Sequence, residues 1–312
     1  MIDPFVEVPF GRQGLAVPCF GLGCAPLGSF EDTSNAAPLV EHVWERGIRF
    51  FDTAPHYGQG RSECHLGAVL SQQPRDEFVL STKVGRLVRD GNVVFDFSAD
   101  GIRRSLDESF ARLQLDRTDI VLIHDPHQHY QQALDEAYPV LEAWRAEGVV
   151  KAIGVGIGNW QILRDFALNA DFDCFLLPGR YTLLEQVALP LLDVCREQEI
   201  DILVGGVFNG GLLASDLSAD VEHRYNYRAA PQDVLDKARK LSEVCRRYDV
   251  PMGRAALHFP YAHETIKTMV IGAEEIGQID GNLADLAADV PAALWRDLQS
   301  EGLLDPAAAL PS

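Results

Sequence analysis

The chain alternates short apolar runs with longer amphipathic segments along most of its length. Eight of these runs are continuously apolar, which is typical of parallel strands that are covered on both faces. The predicted strands are residues 16–22, 48–52, 78–82, 120–124, 152–155, 174–177, 202–205 and 268–271.

Helical spacing of apolar residues fills the intervals between these strands. Ser98 can cap a helix with one apolar stripe formed by Ile102, Leu106, Phe110 and Leu113. The pattern recurs within residues 130–147, which Gly148 ends, and between residues 231 and 248. Eight strand–helix units without a change of composition predict one (β/α)8 TIM barrel, a single α/β domain over residues 1–312. A doubly wound sheet of two halves is the alternative fold.

Two segments are longer than simple connections. Residues 207–231, rich in Gly, Asn and Tyr, form a long loop after the seventh predicted strand, and residues 272–286 follow the eighth. An Ala- and Leu-rich C-terminal helical extension completes the chain. Long loops in compact domains are usually functional or disordered. We expect a function, because the loops after strands seven and eight of such barrels commonly hold phosphates.

Composition narrows the class of protein. The 312 residues carry a formal net charge of −19, which argues against nucleic acid and anionic membranes as partners. The N-terminal residues lack the pattern of a signal peptide, and no apolar run approaches the ~18 residues of a membrane span. Six cysteines occur without a Cys-x-x-Cys spacing, so we expect reduced thiols rather than disulfides or a zinc site. These features predict a soluble, cytoplasmic protein.

Polar residues end three consecutive predicted strands, namely Asp52, Lys83 and His124. Tyr57 lies in the loop after the first of them. A buried carboxylate needs a partner, and the Lys83 ammonium can supply it. Taken singly, each of these residues is more often a structural group. Together they favour catalysis, because the C-terminal ends of barrel strands meet at the face where active sites lie.

The residue types suggest proton-transfer chemistry. Lys83, held by Asp52, places positive charge beside the Tyr57 phenol and favours the phenolate form. Tyr57 can then exchange a proton with a substrate oxygen, as a base in oxidation and as an acid in reduction. His124 can form a hydrogen bond to the same oxygen and fix its direction.

Several motifs resemble those of the aldo-keto reductase superfamily. They are Phe51-Asp52-Thr53-Ala54 with Tyr57-Gly58, then Ser62-Glu63, Ser81-Thr82-Lys83 and Leu122-Ile123-His124. The resemblance extends from Gly21 to Asn282. It implies a barrel that binds NAD(P) without a Rossmann fold, a catalytic tetrad of Asp52, Tyr57, Lys83 and His124, and hydride transfer at nicotinamide C4.

Further segments resemble the sugar-oxidising branch of that superfamily, namely residues 24–28, 83–86, 179–184 and the run Tyr225-Asn226-Tyr227. This branch contains D-threo-aldose (L-fucose) 1-dehydrogenases, with L-galactose and pyridoxal dehydrogenases close by. The resemblance implies oxidation of an anomeric hydroxyl to a lactone. The alternatives are a pyridoxal dehydrogenase, an aldehyde or ketone reductase of the same superfamily, and a cofactor-binding regulatory subunit.

The resemblance also implies a set of cofactor contacts. Asn159 is expected at the nicotinamide carboxamide, and the glycine-rich loop of residues 205–211 at the pyrophosphate, since glycines let an anion approach the backbone. The full set is Gly23, Asn159, Arg180, Gly206, Val207, Phe208, Asn209, Gly211, Leu212, Gly272, Ala273, Glu274, Gln278 and Asn282. A Rossmann turn at residues 154–158 is disfavoured, because Asn159 stands where the third glycine is required.

Carboxylates near the adenosine end indicate the choice of cofactor. Glu274 and Glu275 would repel the 2′-phosphate of NADP and could accept hydrogen bonds from ribose hydroxyls. We therefore expect a preference for NAD, with NADP as the alternative.

Substrate contacts are expected from His56, Arg86, His127, Trp160 and the aromatic loop around Tyr225, although each could equally be rim packing. The expected partner is a small sugar, alcohol or aldehyde. The oligomeric state is left open, and a homo-oligomer is one option. A zinc hydrolase with its metal at the segment His124 to His129 is a further alternative, but His127 and His129 lie in a polar loop without an evident third and fourth ligand.

Overall fold

The computed structural model describes residues 1–89, 91–217, 222–226 and 228–311. Its strands are β1 (Glu7–Phe10), β2 (Leu15–Pro18), β3 (Phe20–Gly23), β4 (Phe50–Asp52), β5 (Val79–Val84), β6 (Arg86–Arg89), β7 (Asn92–Phe95), β8 (Ile120–His124), β9 (Ala152–Gly156), β10 (Cys174–Pro178), β11 (Asp201–Gly205), β12 (Arg224–Tyr225), β13 (Arg228–Ala229) and β14 (Ile266–Ile271).

The helices are α1 (Thr33–Glu45), α2 (Arg61–Leu70), α3 (Ala99–Leu113), α4 (Tyr130–Gln132), α5 (Tyr138–Ala146), α6 (Trp160–Asn169), α7 (Leu189–Glu197), α8 (Gln232–Arg247), α9 (Met252–His258), α10 (Ile276–Ala287) and α11 (Ala292–Ser300). A π-helical segment, Ala133–Ala137, joins α4 to α5. Short 3-10 turns include Tyr57–Gly60 and His127–His129. None of the helices among the described residues is long and apolar enough to cross a membrane.

Eight parallel strands close into a barrel in the order β3-β4-β5-β8-β9-β10-β11-β14. The (β/α)8 prediction is therefore confirmed, and the doubly wound alternative is wrong. The register aligns Gly23 with Asp52, Asp52 with Ser81, and His124 with Gly156. Neighbouring strands thus end at similar heights, which places their last side chains at one face of the barrel.

One predicted strand is in fact two. Residues 16–22 divide between β2, which pairs antiparallel with β1, and β3, which enters the barrel. The β1–β2 hairpin carries Phe10, Leu15 and Val17, which pack with barrel-interior residues such as Phe50 and Leu122. A continuous apolar run does not distinguish a barrel strand from a buried hairpin strand, because both are covered by apolar neighbours.

The predicted helices are present with small changes. Ser98 caps α3 by accepting a hydrogen bond from the Gly101 N–H at 3.1 Å. Residues 130–147 form α4, the π segment and α5 rather than one regular helix. The long segment of residues 207–231 contains the short hairpin β12–β13, while Ser218, Ala219, Asp220, Val221 and Tyr227 of that segment lie outside the described residues. Helix α10 lies in the predicted segment after the eighth strand, and α11 lies in the predicted C-terminal extension.

Candidate active site

Asp52 and Lys83 form a buried ion pair at the C-terminal face of the barrel. The side chains of both residues are almost fully buried, and Lys83 Nζ lies 2.7 Å from Asp52 Oδ2. Lys83 Nζ also donates to the Thr53 carbonyl at 2.9 Å and to Tyr57 Oη at 3.1 Å. Ser81 Oγ donates to the other carboxylate oxygen at 2.9 Å. The pair is therefore fully hydrogen-bonded, and one of the three ammonium bonds goes to a phenol.

Electrostatics keep Lys83 charged. Burial lowers the pKa of the ammonium, but the Asp52 carboxylate and Tyr57 raise it by more, so the pKa lies above its ordinary value. A permanent cation 3.1 Å from the Tyr57 oxygen favours the phenolate over the phenol.

A close backbone contact fixes the loop that carries Tyr57. Gly58 has φ 59° and lies so near Gly28 that a Cβ at Gly58 would come within 2.2 Å of the Gly28 carbonyl oxygen. Only glycine fits both the left-handed backbone and the space. Ser62, in the helix α2 that follows this loop, donates through Oγ to the Cys24 carbonyl at 2.7 Å. This bond fixes the start of α2 to the residue that follows β3.

Glu63, next to Ser62 in the recognised motif, is completely buried behind the site. It accepts hydrogen bonds from Thr82 Oγ1 at 2.8 Å and from Arg112 Nε at 2.6 Å. Thr82 directly precedes Lys83 on β5. This carboxylate therefore holds α2 and α3 against the strand that presents the lysine.

His124 ends β8 and is buried beside Tyr57, with the two ring centroids 5.9 Å apart. Burial lowers the pKa of His124 well below its ordinary value, and the nearby charges of Lys83 and Arg86 lower it further. The imidazole is therefore neutral near pH 7. Its Nδ1 is buried and has no hydrogen-bond partner among the described residues. A neutral imidazole can donate or accept one hydrogen bond at a substrate oxygen.

Two of the four predicted substrate residues, His56 and Arg86, lie near His124. The His56 ring centroid is 6.0 Å from that of His124, and Arg86 Nη2 lies 3.0 Å from His56 Nε2. His127 is exposed on its 3-10 turn, and Trp160 is half-buried at the first residue of α6. Asp125, which was not predicted as a substrate residue, accepts a hydrogen bond from Arg86 Nη1. Its position directly after His124 was the available signal.

Ser81 was also missed as a member of the site. It lies two residues before Lys83 on β5, and side chains two apart on a strand share a face. That spacing could have identified it as the second partner of Asp52.

The predicted pyrophosphate loop follows β11 and has an unusual backbone. Gly206, Asn209, Gly210 and Gly211 have φ values of 60°, 49°, 74° and 89°. Such left-handed turns let backbone N–H groups approach an anion closely. The Oδ1 atom of Asn209 is buried without a partner among the described residues. Val207 and Leu212 are buried, and Phe208 is half-buried. The loop fits a phosphate-bearing cofactor.

Arg180 and Asn159 lie at the ends of β10 and β9. Arg180 Nε donates to the Gly158 carbonyl at 3.1 Å, and its Nη1 pairs with Glu185 at 3.2 Å. Asn159 Oδ1 caps α6 by accepting from the Gln161 and Ile162 N–H groups at 3.1 and 3.2 Å. Because Oδ1 is used in the cap, the Nδ2 amide of Asn159 is the group that could donate to a nicotinamide carboxamide.

The predicted adenosine site lies between β14 and the start of α10. A Cβ added at Gly23 would lie 3.3 Å from the Gly272 backbone nitrogen, so the two glycines are close neighbours. Ala273 is buried. Glu274 is exposed, and its N–H donates to Gln278 Oε1 at 2.8 Å. Glu275 is exposed beside it, and Asn282 is half-buried further along α10. Both carboxylates are thus exposed where the sequence predicts the adenosine ribose.

The residues of the zinc alternative do not converge. His129 packs against Phe95 and Phe97 with ring-centroid distances of 5.7 and 5.3 Å, while His127 is exposed at the start of the 3-10 turn. Within the described ranges, no three His, Cys, Asp or Glu side chains are grouped so that they could hold a metal ion.

Comparisons with known proteins identify the family of this chain. The model of the Aldo/keto reductase family matches residues 20–300. The chain is 40% identical to a D-threo-aldose 1-dehydrogenase from Pseudomonas sp, over 96% of this chain and 98% of the relative. It is 36% identical to a pyridoxal 4-dehydrogenase from Microbacterium luteolum, over 94% and 96%. The predicted resemblance to this branch is confirmed.

A solved structure supports the fold separately. An aldo-keto reductase from Bacillus halodurans, in its holo form, aligns with a TM-score of 0.83 and 24% identity, covering 99% of this chain and 98% of the other. At that identity the likeness shows the barrel fold alone.

Proposed function

Because the chain belongs to the aldo/keto reductase family of NAD(P)-dependent oxidoreductases, we propose that it is an aldose 1-dehydrogenase. In this proposal it oxidises the anomeric hydroxyl of an L-fucose-like (D-threo) or L-galactose-like aldose to a lactone. The bound nicotinamide supplies the hydride acceptor. The observation that carries the activity is the 3.1 Å contact between Lys83 Nζ and Tyr57 Oη inside a fully hydrogen-bonded ion pair.

Tyr57 is the proposed base. In oxidation it takes the proton of the substrate hydroxyl, and the Lys83 ammonium stabilises the phenolate that makes this transfer favourable. Asp52 and the Thr53 carbonyl hold Lys83 in place at 2.7 and 2.9 Å. Neutral His124 forms a hydrogen bond with the same substrate oxygen and fixes its direction. In reduction the proton moves from Tyr57 to the substrate.

NAD is the proposed cofactor. The loop of residues 206–212 would hold its pyrophosphate, Asn159 and Arg180 would lie near its nicotinamide half, and Gly23 with Gly272, Ala273, Gln278 and Asn282 would surround its adenosine half. Glu274 would accept hydrogen bonds from the ribose hydroxyls. The support for NAD over NADP is the pair of exposed carboxylates before α10.

The substrate class rests on the 40% identity to an aldose dehydrogenase, together with polar groups from His56 and Arg86 at the barrel mouth. His127 and Trp160 are proposed as outer contacts. A pyridoxal dehydrogenase is the second candidate, because the relative with that activity is 36% identical over 94% of this chain.

The test is NADH formation by the purified protein with NAD, L-fucose, L-galactose, other aldoses and pyridoxal, repeated with NADP. We expect the fastest turnover with an aldose and NAD. Tyr57→Phe should lower kcat by about 10²- to 10⁴-fold, the usual contribution of general acid–base catalysis, without unfolding the protein.

Tyr248→Phe is the matched control, since its hydroxyl bonds Asp297 at 2.6 Å away from the site, and it should keep full turnover. Turnover of pyridoxal alone would replace the aldose assignment. NAD binding without oxidation of any substrate would support a regulatory subunit.

A further inference from the structure

His56, Arg86 and Asp125 form a polar group beside His124, which we call the mouth cluster. Arg86 Nη1 is paired with Asp125 Oδ2, and Arg86 Nη2 lies 3.0 Å from His56 Nε2. Asp125 Oδ2 lies 3.7 Å from His124 Nε2. The cluster therefore adjoins the proposed catalytic residues without belonging to their hydrogen-bonded core.

The backbone holds Asp125 in place. Its φ of 49° is left-handed, its N–H donates to the Gly156 carbonyl at 3.0 Å, and its carbonyl accepts from the His127 N–H at 2.9 Å. Arg86 opens the β6–β7 hairpin two residues after β5 ends, and its guanidinium carbon lies 5.2 Å from the Phe95 ring centroid. Two separate loops thus bring an anion and a cation to one point.

The residues of the mouth cluster do not pair all of one another's hydrogen-bonding atoms. Because arginine only donates, His56 Nε2 accepts from Arg86 and the imidazole proton lies on Nδ1. His56 Nδ1 and Arg86 Nε are both buried and have no hydrogen-bond partner in the part of the chain that the structure describes. Buried polar groups nearly always have partners, so such gaps require an explanation.

The carboxylate keeps acceptor capacity as well. The hydrogen bonds found among the described residues reach Asp125 only through Oδ2, from Arg86. Its side chain is 28% exposed, against 9% for Asp119, a carboxylate that is paired with Arg75 and also accepts the Leu80 N–H. An ionised carboxylate forms stronger hydrogen bonds with hydroxyl groups than a neutral acceptor does.

We propose that Asp125, held by Arg86, binds the substrate hydroxyl on the carbon next to the reacting carbon. This inference rests on the proposed function. If His124 binds the reacting oxygen, the 3.7 Å separation between His124 Nε2 and Asp125 Oδ2 places the carboxylate beside that neighbouring hydroxyl. The mouth cluster would then select aldoses with a hydroxyl at C2 over analogues that lack it.

The test compares L-fucose with 2-deoxy-L-fucose in the wild-type enzyme and in Asp125→Asn. The substitution keeps the shape of the side chain and removes its charge. We expect kcat/KM for L-fucose to fall by about ten- to hundredfold, the usual effect of losing a hydrogen bond to a charged group. For 2-deoxy-L-fucose, which lacks the hydroxyl, kcat/KM should change by less than about twofold.

Glu108→Gln is the matched control. Glu108 pairs with Arg89 of the same hairpin at 2.8 Å, away from the mouth cluster, and its change should affect neither substrate. Arg86→Lys is a second variant in case Asp125→Asn does not fold. It keeps a positive charge but cannot bond Asp125 and His56 together, so it should also lower L-fucose turnover selectively.

The outcomes separate this inference from the proposed function. Equal losses on both substrates would show that Asp125 only positions His124, and unchanged kinetics would show that it does neither; both results overturn the inference while aldose oxidation stands. Failure of the wild-type enzyme to oxidise any aldose overturns the proposed function and the inference with it.

Discussion

Both ends of the barrel contain a buried carboxylate paired with a cation. At the C-terminal face, Asp52 pairs with Lys83 at 2.7 Å. At the opposite end, where β10 begins, Asp173 pairs with Arg145 at 3.1 Å and its side chain is completely buried. By residue type and burial the two pairs are alike.

The third partner distinguishes them. Asp173 Oδ2 also accepts the Ile153 N–H at 2.9 Å, and Arg145 donates to the Asp171 carbonyl at 2.9 Å. That pair fastens strand ends to a helix. Lys83 instead donates to a phenol, a group that can lose a proton. A buried ion pair is therefore weak evidence for catalysis until its remaining hydrogen bonds are known.

The largest expected effect comes from removing the cation at each end. Lys83→Met and Arg145→Met each leave a buried carboxylate unpaired, so each should lower the free energy of unfolding by about 3–5 kcal/mol. Only Lys83→Met should also lower kcat, by about 10³-fold or more, because it removes the charge that stabilises the Tyr57 phenolate.

Denaturant unfolding and steady-state kinetics, performed on both variants at a temperature where both remain folded, measure this contrast. Arg145→Met should retain nearly full kcat in its folded fraction. A similar loss of kcat in both variants would contradict the conclusion that only the Asp52–Lys83 pair takes part in catalysis.

His124 should make stability depend on pH. Its pKa in the folded protein lies well below the ordinary 6.5, so below pH 6.5 the unfolded chain takes up a proton that the folded chain does not. Stability is thus present above this pH and is lost as the pH falls, by up to ~1.4 kcal/mol per pH unit.

His258 and His263 also have pKa values lowered by burial, so the informative quantity is the difference between the wild-type enzyme and His124→Gln. Unfolding free energies measured from pH 7 to pH 5 should fall less steeply in the variant. Parallel curves would mean that His124 takes up its proton over the same pH range in the folded and unfolded states.

The smallest expected effect concerns the cofactor. Glu274→Arg should raise the ratio of kcat/KM for NADP to that for NAD by about tenfold, because a guanidinium replaces a carboxylate facing the 2′-phosphate. Glu264→Arg makes the same change of charge on an exposed residue before β14, at the other end of the barrel, and should leave the ratio unchanged. Equal shifts in both variants would indicate a general charge effect.

Much of the proposed active site followed from the sequence. The continuous apolar runs predicted parallel strands, and parallel strands in one barrel bring their C-terminal ends to one face. Asp52, Lys83 and His124 therefore had to lie near one another, and Tyr57 had to lie in the adjoining loop. The strand Ile120–His124 has the predicted bounds, because polar residues flank a run of four apolar ones.

The contacts between distant segments required the tertiary structure. Arg86 and Asp125 are 39 residues apart, and no spacing rule links a hairpin residue to a turn residue after another strand. Likewise, Pro18 interrupts the apolar run of residues 16–22, but the pattern does not say which part joins a hairpin and which enters the barrel. The local pattern of apolar and polar residues indicates whether a residue is buried, but not which residues it contacts. The partner depends on how loops pack and which side-chain rotamers that packing allows.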